Sequence, residues 1–263
     1  MDEKTAVVTG ASRGIGLALA EDLLGLGYRV YGLSRTPGSL SAVQWMNCDV
    51  TDRAAVARCF KKILQDSGGL DLLICNAGIG ISGAAEFTET SDFHRQMEVN
   101  LTGCVNCAQQ AASFMRQRRS GKIIFISSLA AIFPLPFQSF YSASKAAVNA
   151  FSDALGIELA PFHVETCTVM LNDVKTDFTD NRRKSAVGDD IYGGRISKSV
   201  GKMEASERKG MAPQKVAETV CGLVGRKHLP SHKIVGFSNE FLGLLYRFLP
   251  TGIMLKLLGK LYG

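Results

Sequence analysis

The sequence predicts an α/β fold, a doubly wound parallel sheet of seven strands in one domain over residues 1–263. Short apolar runs typical of buried strands alternate with longer segments of helical periodicity, the order of a parallel sheet covered by helices. The 263 residues are 46% hydrophobic and 21% charged, enough to bury one large core. We expect the strands near residues 4–9, 29–33, 43–48, 71–75, 122–127, 164–170 and 232–237.

The first predicted strand runs into a glycine-rich turn and then an amphipathic helix. Gly10 permits a tight turn, Gly14 lets the backbone approach a pyrophosphate, and Gly16 allows the helix to pack closely on the strand. A helix N-terminus adds free N–H groups and a positive dipole. These features predict a nucleotide phosphate site, although an ordinary strand-to-helix turn can carry similar glycines. The predicted site comprises Gly10, Ser12, Arg13, Gly14, Ile15 and Gly16.

The end of the second predicted strand favours NADP(H) over NAD(H). An NAD site usually offers a carboxylate to the ribose 2′-hydroxyl, whereas an arginine accommodates a 2′-phosphate. Ser34 and Arg35 stand here without a carboxylate, and Arg13 in the glycine loop is a second cation with a forked donor geometry. Both arginines could instead be solvated surface charges.

The third predicted strand is followed by Asp49 and Val50, which we include in the predicted cofactor site. Asp49 could accept a hydrogen bond from an adenine amino group. The alternative role for Asp49 is a cap of the helix that opens near Thr51.

Three polar residues predict the chemistry. Residues 140–160 have helical periodicity, which places Tyr141 and Lys145 one turn apart on one face. A phenol titrates near ~10, so it exchanges protons at neutral pH only where something such as the Lys145 ammonium favours the phenolate. Ser128, after the fifth predicted strand, could donate to a substrate oxygen as charge develops on it. The set predicts proton exchange with a carbonyl or alcohol, although a tyrosine and a lysine at this spacing also occur by chance.

The sequence resembles the short-chain dehydrogenase/reductase family across nearly its whole length. Residues 9–16 are similar to that family's cofactor motif, residues 76–78 to its fourth-strand motif, and Ser128, Tyr141 and Lys145 to its catalytic residues. The resemblance implies a Rossmann-like fold with Tyr141 as general acid/base. It also implies that Lys145 binds the nicotinamide ribose and lowers the pKa of Tyr141, and that Ser128 orients the carbonyl.

Further positions follow from the same resemblance. Asn100 matches an asparagine held to position a water in the proton relay, and Val174 and Thr176 match residues that meet the nicotinamide carboxamide. The family usually shows Pro-Gly where this chain has Leu171 and Asn172. Asparagine tolerates a left-handed backbone, so we expect the turn to survive, with effects on substrate choice or cofactor binding left open. The predicted cofactor site also includes Asn76, Ala77, Gly78, Tyr141 and Lys145.

The resemblance also suggests a substrate class. Residues 70–80 and 133–141 look similar to stretches of 17β-hydroxysteroid and retinol dehydrogenases, which implies a hydrophobic ketone or secondary alcohol, such as a hydroxysteroid or a lipid-like ketone. Reduction of 3-oxoacyl groups or small ketones is the alternative. A dinucleotide-binding regulatory module without turnover is the alternative outside the enzymes. We expect a cofactor-binding half over 1–120, a catalytic segment over 121–177, a substrate lid over 178–212 and an apolar tail over 238–263.

The C-terminal tail is apolar but too interrupted by charges and Pro250 to span a bilayer. A helix there would carry an apolar face opposite Lys256 and Lys260. This face could cover the substrate pocket or a partner subunit, touch a membrane surface or pack into the core, and we favour a lid or dimer element. The predicted apolar face comprises Ile253, Met254, Leu257, Leu258 and Leu261.

Composition sets the remaining expectations. The net charge of +6 is modest and no nucleic-acid motif accompanies it, so we expect no nucleic-acid partner and no metal. The N-terminus has no apolar signal segment, which predicts a cytoplasmic protein. The seven cysteines mostly fall in apolar runs, and the pair Cys104 and Cys107 lacks a second pair, so we expect reduced thiols. We expect a homodimer or homotetramer.

Overall fold

The computed structural model describes residues 3–236, 239–241, 243 and 248–262. Its centre is a seven-stranded parallel sheet. The strands are β1 Thr5–Thr9, β2 Arg29–Ser34, β3 Gln44–Asn47, β4 Leu72–Cys75, β6 Gly121–Ser128, β7 Val164–Leu171 and β9 His232–Ile234. Their order is β3-β2-β1-β4-β6-β7-β9, so the direction of strand addition reverses between β1 and β4. In such sheets ligands bind at the carboxyl ends of the strands beside this reversal.

Helices cover both faces of the sheet. The helices are α1 Gly14–Gly25, α2 Arg53–Ser67, α3 Thr90–Met97, α4 Gly103–Arg118, α5 Ser139–Leu159, α6 Arg195–Glu207, α7 Pro213–Val224 and a C-terminal helix, Thr251–Tyr262. Two short strands, β5 Ile81–Ser82 and β8 Arg183–Lys184, pair with each other outside the main sheet. One π-helical turn, Glu98–Thr102, connects α3 to α4.

Successive side chains of each strand point to opposite faces of the sheet, and a hydrophobic core lies on each face. Ala6 and Val8 of β1 pack in a cluster that contains residues of α1 and α7, whereas Val7 between them packs in a cluster that contains residues of α2, α4 and α5. All three side chains are fully buried. Because both faces are covered, the strands are continuous apolar runs, as in other parallel sheets. The predicted fold class is confirmed.

The predicted boundaries hold closely except at the last strand. The catalytic helix expected over 140–160 spans Ser139–Leu159. The strand expected over 232–237 ends at Ile234, although the Val235 N–H still donates to the Met170 carbonyl oxygen. Gly236 has φ of +94°, a conformation that ends the extended run. Residues 237 and 238 lie outside the described part of the chain.

All seven cysteines are free thiols, as the sequence predicts. Burial raises the pKa of Cys48, Cys167 and Cys221 to about 12. Within the described residues, no group of three His, Cys, Asp or Glu side chains is placed to hold a metal ion. None of the helices in those same residues is long and apolar enough to cross a membrane.

Candidate active site

The glycine loop forms a backbone cradle at the carboxyl end of β1. Gly10 and Gly14 have φ of +64° and +55°, a left-handed region that favours glycine. Helix α1 begins at Gly14, and its N-cap residue Arg13 makes no capping side-chain hydrogen bond. The first N–H groups of α1 therefore keep their capacity to bind an anion, and the helix dipole favours negative charge there. The loop fits the pyrophosphate of a dinucleotide.

A threonine that the sequence did not single out fastens this cradle to the next strand. The Thr9 hydroxyl accepts hydrogen bonds from the backbone N–H groups of Asn76 and Ala77, at 2.9 and 3.0 Å. The Asn76 side chain in turn donates to the carbonyl oxygens of Thr9 and Gly10, at 3.0 and 3.3 Å. The Asn76 side chain therefore holds the glycine loop in place. This structural role is in addition to the predicted contact with the cofactor.

The end of β2 lies next to the glycine loop. A Cβ atom added to Gly38, in the loop that follows β2, would lie 3.0 Å from the Ser12 Cα, so the two loops touch. Arg13 and Arg35 are exposed and line the same cavity. The Ser34 hydroxyl turns inward and donates to the Thr36 carbonyl oxygen at 2.6 Å. Two cations therefore flank this end of the cavity.

Asp49 does not cap a helix. Asp52 is the N-cap of α2 and accepts from the N–H groups of Ala54 and Ala55, so the capping alternative for Asp49 is wrong. Asp49 forms a local turn in which it accepts from the N–H and hydroxyl of Thr51, at 3.0 and 2.8 Å. Burial opposes its charge, but these bonds and the charges of Arg35 and Arg95 lower the pKa of the Asp49 carboxyl. It stays ionised and can accept a hydrogen bond.

Ser128, Tyr141 and Lys145 converge at the carboxyl end of β6. Ser128 ends the strand, and its Oγ accepts from the Ala130 N–H at 3.1 Å, which leaves its proton free to donate. Lys145 is buried and lies over the Tyr141 ring, with Nζ 5.8 Å from the ring centroid. Its ammonium donates to the Ile126 carbonyl oxygen at 3.0 Å and has two further protons. A carbonyl group placed here would meet two hydroxyl donors and a nearby positive charge.

These groups line one cavity of about 1090 Å³ at the carboxyl ends of the strands. Gly16 and Asn100 are the two predicted site residues that do not line it. The others that line it are Gly10, Ser12, Arg13, Gly14, Ile15, Arg35, Asp49, Val50, Asn76, Ala77, Gly78, Ser128, Tyr141, Lys145, Val174 and Thr176. A cavity of this size can hold one end of a dinucleotide together with a substrate.

Comparison with known proteins gives the family. The model of the short chain dehydrogenase family matches residues 4–186. The chain belongs to this family. It is 38% identical over 239 residues to a 3-ketodihydrosphingosine reductase of Bacteroides thetaiotaomicron, covering 90% of this chain and 89% of the relative. It is 32% identical over 176 residues to the 3-oxoacyl-[acyl-carrier-protein] reductase MabA of Mycobacterium tuberculosis, covering 67% and 71%.

A solved structure shows the same fold. A metagenomic short-chain oxidoreductase in complex with NADP superposes with a TM-score of 0.71 at 26% identity, over 88% of this chain and 96% of the other. This short-chain dehydrogenase is therefore an oxidoreductase that uses a nicotinamide cofactor and acts on a small molecule. The alternative of a regulatory module without turnover is not supported.

In this dehydrogenase Asn100 is fully buried and serves as a brace. Its Oδ1 accepts from the Ile79 N–H at 2.8 Å, and its Nδ2 donates to the Ile79 carbonyl oxygen at 3.0 Å and to the Ser144 hydroxyl at 3.1 Å. Ser144 donates in turn to the Tyr141 carbonyl oxygen at 2.7 Å. Asn100 thus ties the loop after β4 to the first turns of α5. Its position in the π-helical turn is a feature common at functional sites, and its role in a proton relay stays a prediction.

The loop after β7 reaches the glycine loop without a left-handed residue at Asn172. Asn172 does not have a positive φ, so its tolerance of a left-handed backbone is not used. Its side chain instead donates to Asn239 Oδ1 at 3.2 Å. A Cβ added to Gly14 would lie 3.4 Å from the Thr176 side chain, which places Thr176 beside the phosphate cradle. Val174 is buried and pairs with Met211 through an isolated bridge.

Several cavity residues escaped sequence reasoning. Phe178 packs against Tyr141, with ring centroids 6.0 Å apart, and Gln138 is buried at the start of the catalytic helix. Arg182 is buried and forms an ion pair with Glu207 in α6. The hydrophobicity and charge of a residue do not by themselves distinguish a cavity position from a position in the core or on the surface. Phe178 and Arg182 lie in the segment 178–212, whose role as a substrate lid stays a prediction.

The C-terminal helix forms part of the cavity wall. Met254, Leu257, Leu258 and Leu261 line the cavity, as does Tyr262. Met254 is buried, with 5% of its surface exposed. Ile253 lies one turn before Leu257 on the predicted apolar face, but it does not line the cavity and is 49% exposed, so the face extends beyond the cavity. Of the tail over 238–263, residues 238, 242, 244–247 and 263 lie outside the described chain.

Proposed function

We propose that this short-chain dehydrogenase uses NADPH to reduce a long-chain, lipid-like ketone to a secondary alcohol. One observation carries the proposal. The cavity that contains Ser128, Tyr141 and Lys145 is also lined by apolar side chains of the C-terminal helix, so one space offers polar groups for a carbonyl and apolar surface for a hydrocarbon chain. Burial of that chain supplies binding energy of about 25 cal/mol per Å².

The chain's own residues account for the proton transfer. The Ser128 and Tyr141 hydroxyls both donate to the carbonyl oxygen and hold it. The nicotinamide, when bound, supplies a hydride to the carbonyl carbon. Tyr141 gives its proton to the oxygen as negative charge develops on it, which yields the alcohol and leaves a phenolate. The ammonium of Lys145 lies over the Tyr141 ring and stabilises that phenolate.

Arg13 and Arg35 support the choice of NADPH. Both flank the cavity where the predicted ribose site lies, and the end of β2 offers no carboxylate that would repel a 2′-phosphate. The solved relative in complex with NADP agrees with this choice. The glycine loop and Asp49 would hold the pyrophosphate and the adenine, with Val174 and Thr176 at the carboxamide.

The names of the relatives support a lipid-like substrate. 3-Ketodihydrosphingosine and 3-oxoacyl groups both carry a ketone at the third carbon of a fatty chain. We favour a free long-chain keto lipid, because the relative named for one covers 90% of this chain. Reduction of a 3-oxoacyl thioester is the second candidate. A hydroxysteroid remains the prediction from the sequence resemblance.

A substrate series tests the proposal. NADPH consumption is followed with 3-ketodihydrosphingosine, a 3-oxoacyl thioester, a ketosteroid and a series of simple ketones of increasing chain length. We expect kcat/KM to rise about threefold to fourfold for each methylene that becomes buried, and to be highest for the keto lipid. Equal kcat/KM across the chain lengths would contradict an apolar substrate site. A higher value for the thioester would favour the second candidate.

A further inference from the structure

The apolar side chains of the C-terminal helix extend past the cavity to an exposed outer face. Ile253, Leu257 and Leu261 follow one another at positions i, i+4 and i+8, so they form one stripe, and they are 49%, 55% and 49% exposed. Leu257 and Leu261 also line the cavity, whereas Ile253 does not. Phe248, shortly before the helix, is 78% exposed. Exposed apolar side chains gathered on one short helix mark an interaction surface.

Positive charge borders this outer face. The helix contains no acidic residue, and Lys256 and Lys260 are exposed. The neighbouring helix α6 adds Arg195, Lys198 and Lys202, which are exposed and share one side at positions i, i+3 and i+7. Lys202 joins the two helices, because its Nζ donates to the Leu261 carbonyl oxygen at 2.5 Å and lies 5.7 Å from the centroid of the Tyr262 ring.

Four other cations of the segment 178–212 form ion pairs with carboxylates, whereas exposed Lys209, just after α6, forms none with the residues that the structure describes. The ion pairs are Arg182 with Glu207, Arg183 with Asp92, Lys184 with Glu204 and Arg208 with Asp180. The cations that border the C-terminal helix thus form the positive part of this surface. An amphipathic helix with apolar residues outward and lysines at its border matches a bilayer interface with anionic headgroups.

We propose that the outer face of the C-terminal helix, with the cations of α6, docks on a bilayer that contains anionic phospholipid. A second copy of the chain is a poorer partner for this face. In a two-fold dimer the same patch meets itself, which would bring the lysines of both copies together. A lipid surface takes up the apolar side chains and supplies the opposite charge.

Docking would place the cavity mouth at the lipid phase. Because the helix that would touch the bilayer also lines the cavity, a poorly soluble ketone could move from the bilayer to Tyr141 without crossing water. This consequence rests on the proposed function. The docking itself does not, since it depends only on the outer residues.

Vesicle sedimentation tests the docking. The full chain is mixed at low salt with two kinds of vesicle. One contains phosphatidylcholine alone, and in the other about a quarter of the lipid is phosphatidylglycerol. We expect it to sediment with the anionic vesicles and to be released by high salt. The double variant Lys256→Gln/Lys260→Gln should bind these vesicles about 25-fold more weakly. The double variant Ile253→Ser/Leu257→Ser, which removes two neighbouring side chains of the exposed stripe, should lose binding about tenfold or more.

Matched controls change the same residue types elsewhere. Lys61→Gln/Lys62→Gln removes two exposed lysines of α2, and Leu26→Ser removes a leucine that is 57% exposed after α1. Both should bind anionic vesicles as the wild type does. NADPH titration and circular dichroism verify that every variant is folded.

Three results would overturn the proposal. The wild type could stay in the supernatant with anionic vesicles, or the helix variants could bind as tightly as their controls. Analytical ultracentrifugation could also show a wild-type dimer, unable to bind vesicles, that Ile253→Ser/Leu257→Ser makes monomeric, and the face would then be a subunit interface. Sedimentation needs no turnover, so inactivity toward keto lipids would count against the proposed function and not against docking.

Discussion

At the scale of single residues, Arg13 and Arg35 should decide which nicotinamide cofactor binds. Arg35→Ala removes one of the two cations near the predicted 2′-phosphate. We expect the Kd for NADPH to rise about tenfold, because charge-assisted hydrogen bonds contribute about 1.5–3 kcal/mol, while the Kd for NADH changes little. Fluorescence titration of both cofactors measures this. Equal wild-type dissociation constants for NADPH and NADH would contradict the assignment.

The cysteine thiols make a second prediction at this scale. Burial raises the pKa of the Cys221 thiol and that of the Cys167 thiol to about 12. Cys167 is buried, whereas Cys221 is half-buried. The thiolate is the reactive form, and at pH 8 only about one thiol in ten thousand at these positions would be ionised at any moment. The native protein should label slowly with an aromatic disulfide reagent, and faster as the pH is raised. Urea should release seven reactive thiols. Rapid labelling of the native protein at these two cysteines would show that they are not protected.

At the scale of elements, the contact between α1 and the glycine loop depends on Gly16. A Cβ there would lie 2.2 Å from the Gly10 carbonyl oxygen and 2.6 Å from the Asn76 amide nitrogen. Gly16→Ala should therefore push α1 away from the cradle, weaken NADPH binding by more than tenfold and lower the free energy of unfolding by several kcal/mol, as overpacking does. Urea denaturation and NADPH titration measure both effects.

The same helix offers a control of opposite sign. Gly25, in the last turn of α1, has no heavy atom within 4 Å of an added Cβ and no positive φ. Gly25→Ala should raise the free energy of unfolding by about 0.5–1 kcal/mol, because alanine costs less backbone entropy in a helix. If both substitutions destabilised equally, the close packing at Gly16 would not be the cause.

The sequence predicts elements well and their contacts poorly. Continuous apolar runs place the strands within one or two residues, except where Gly236 ends β9 early. The hydroxyl of Thr9, by contrast, binds a backbone 67 residues away at Asn76, and Asn100 reaches Ser144 over 44 residues. Periodicity describes one segment at a time, so it cannot show which loops meet. The resemblance to a family motif predicted that Tyr141 and Ser128 lie close together. No motif predicted that Phe178 packs against Tyr141.

At the scale of the whole molecule, the cavity joins the first strand to the last helix. Met254 of the C-terminal helix is buried against it, so Met254→Ser places a polar group among apolar ones. We expect the KM for a long-chain ketone to rise about tenfold, with kcat/KM for a short ketone and NADPH affinity nearly unchanged. Steady-state kinetics with both substrates measure this difference. An equal loss for short and long ketones would mean that the helix acts on the reaction centre and not on the chain.

The most direct test of the account is Tyr141→Phe, which removes the proton donor and keeps the ring. The variant should bind NADPH with the affinity of the wild type and reduce a keto lipid at least about a hundredfold more slowly, the usual contribution of a general acid. Tyr28→Phe, at a tyrosine outside the cavity, should keep full activity. A Tyr141→Phe variant that reduced the ketone at the wild-type rate would contradict the mechanism.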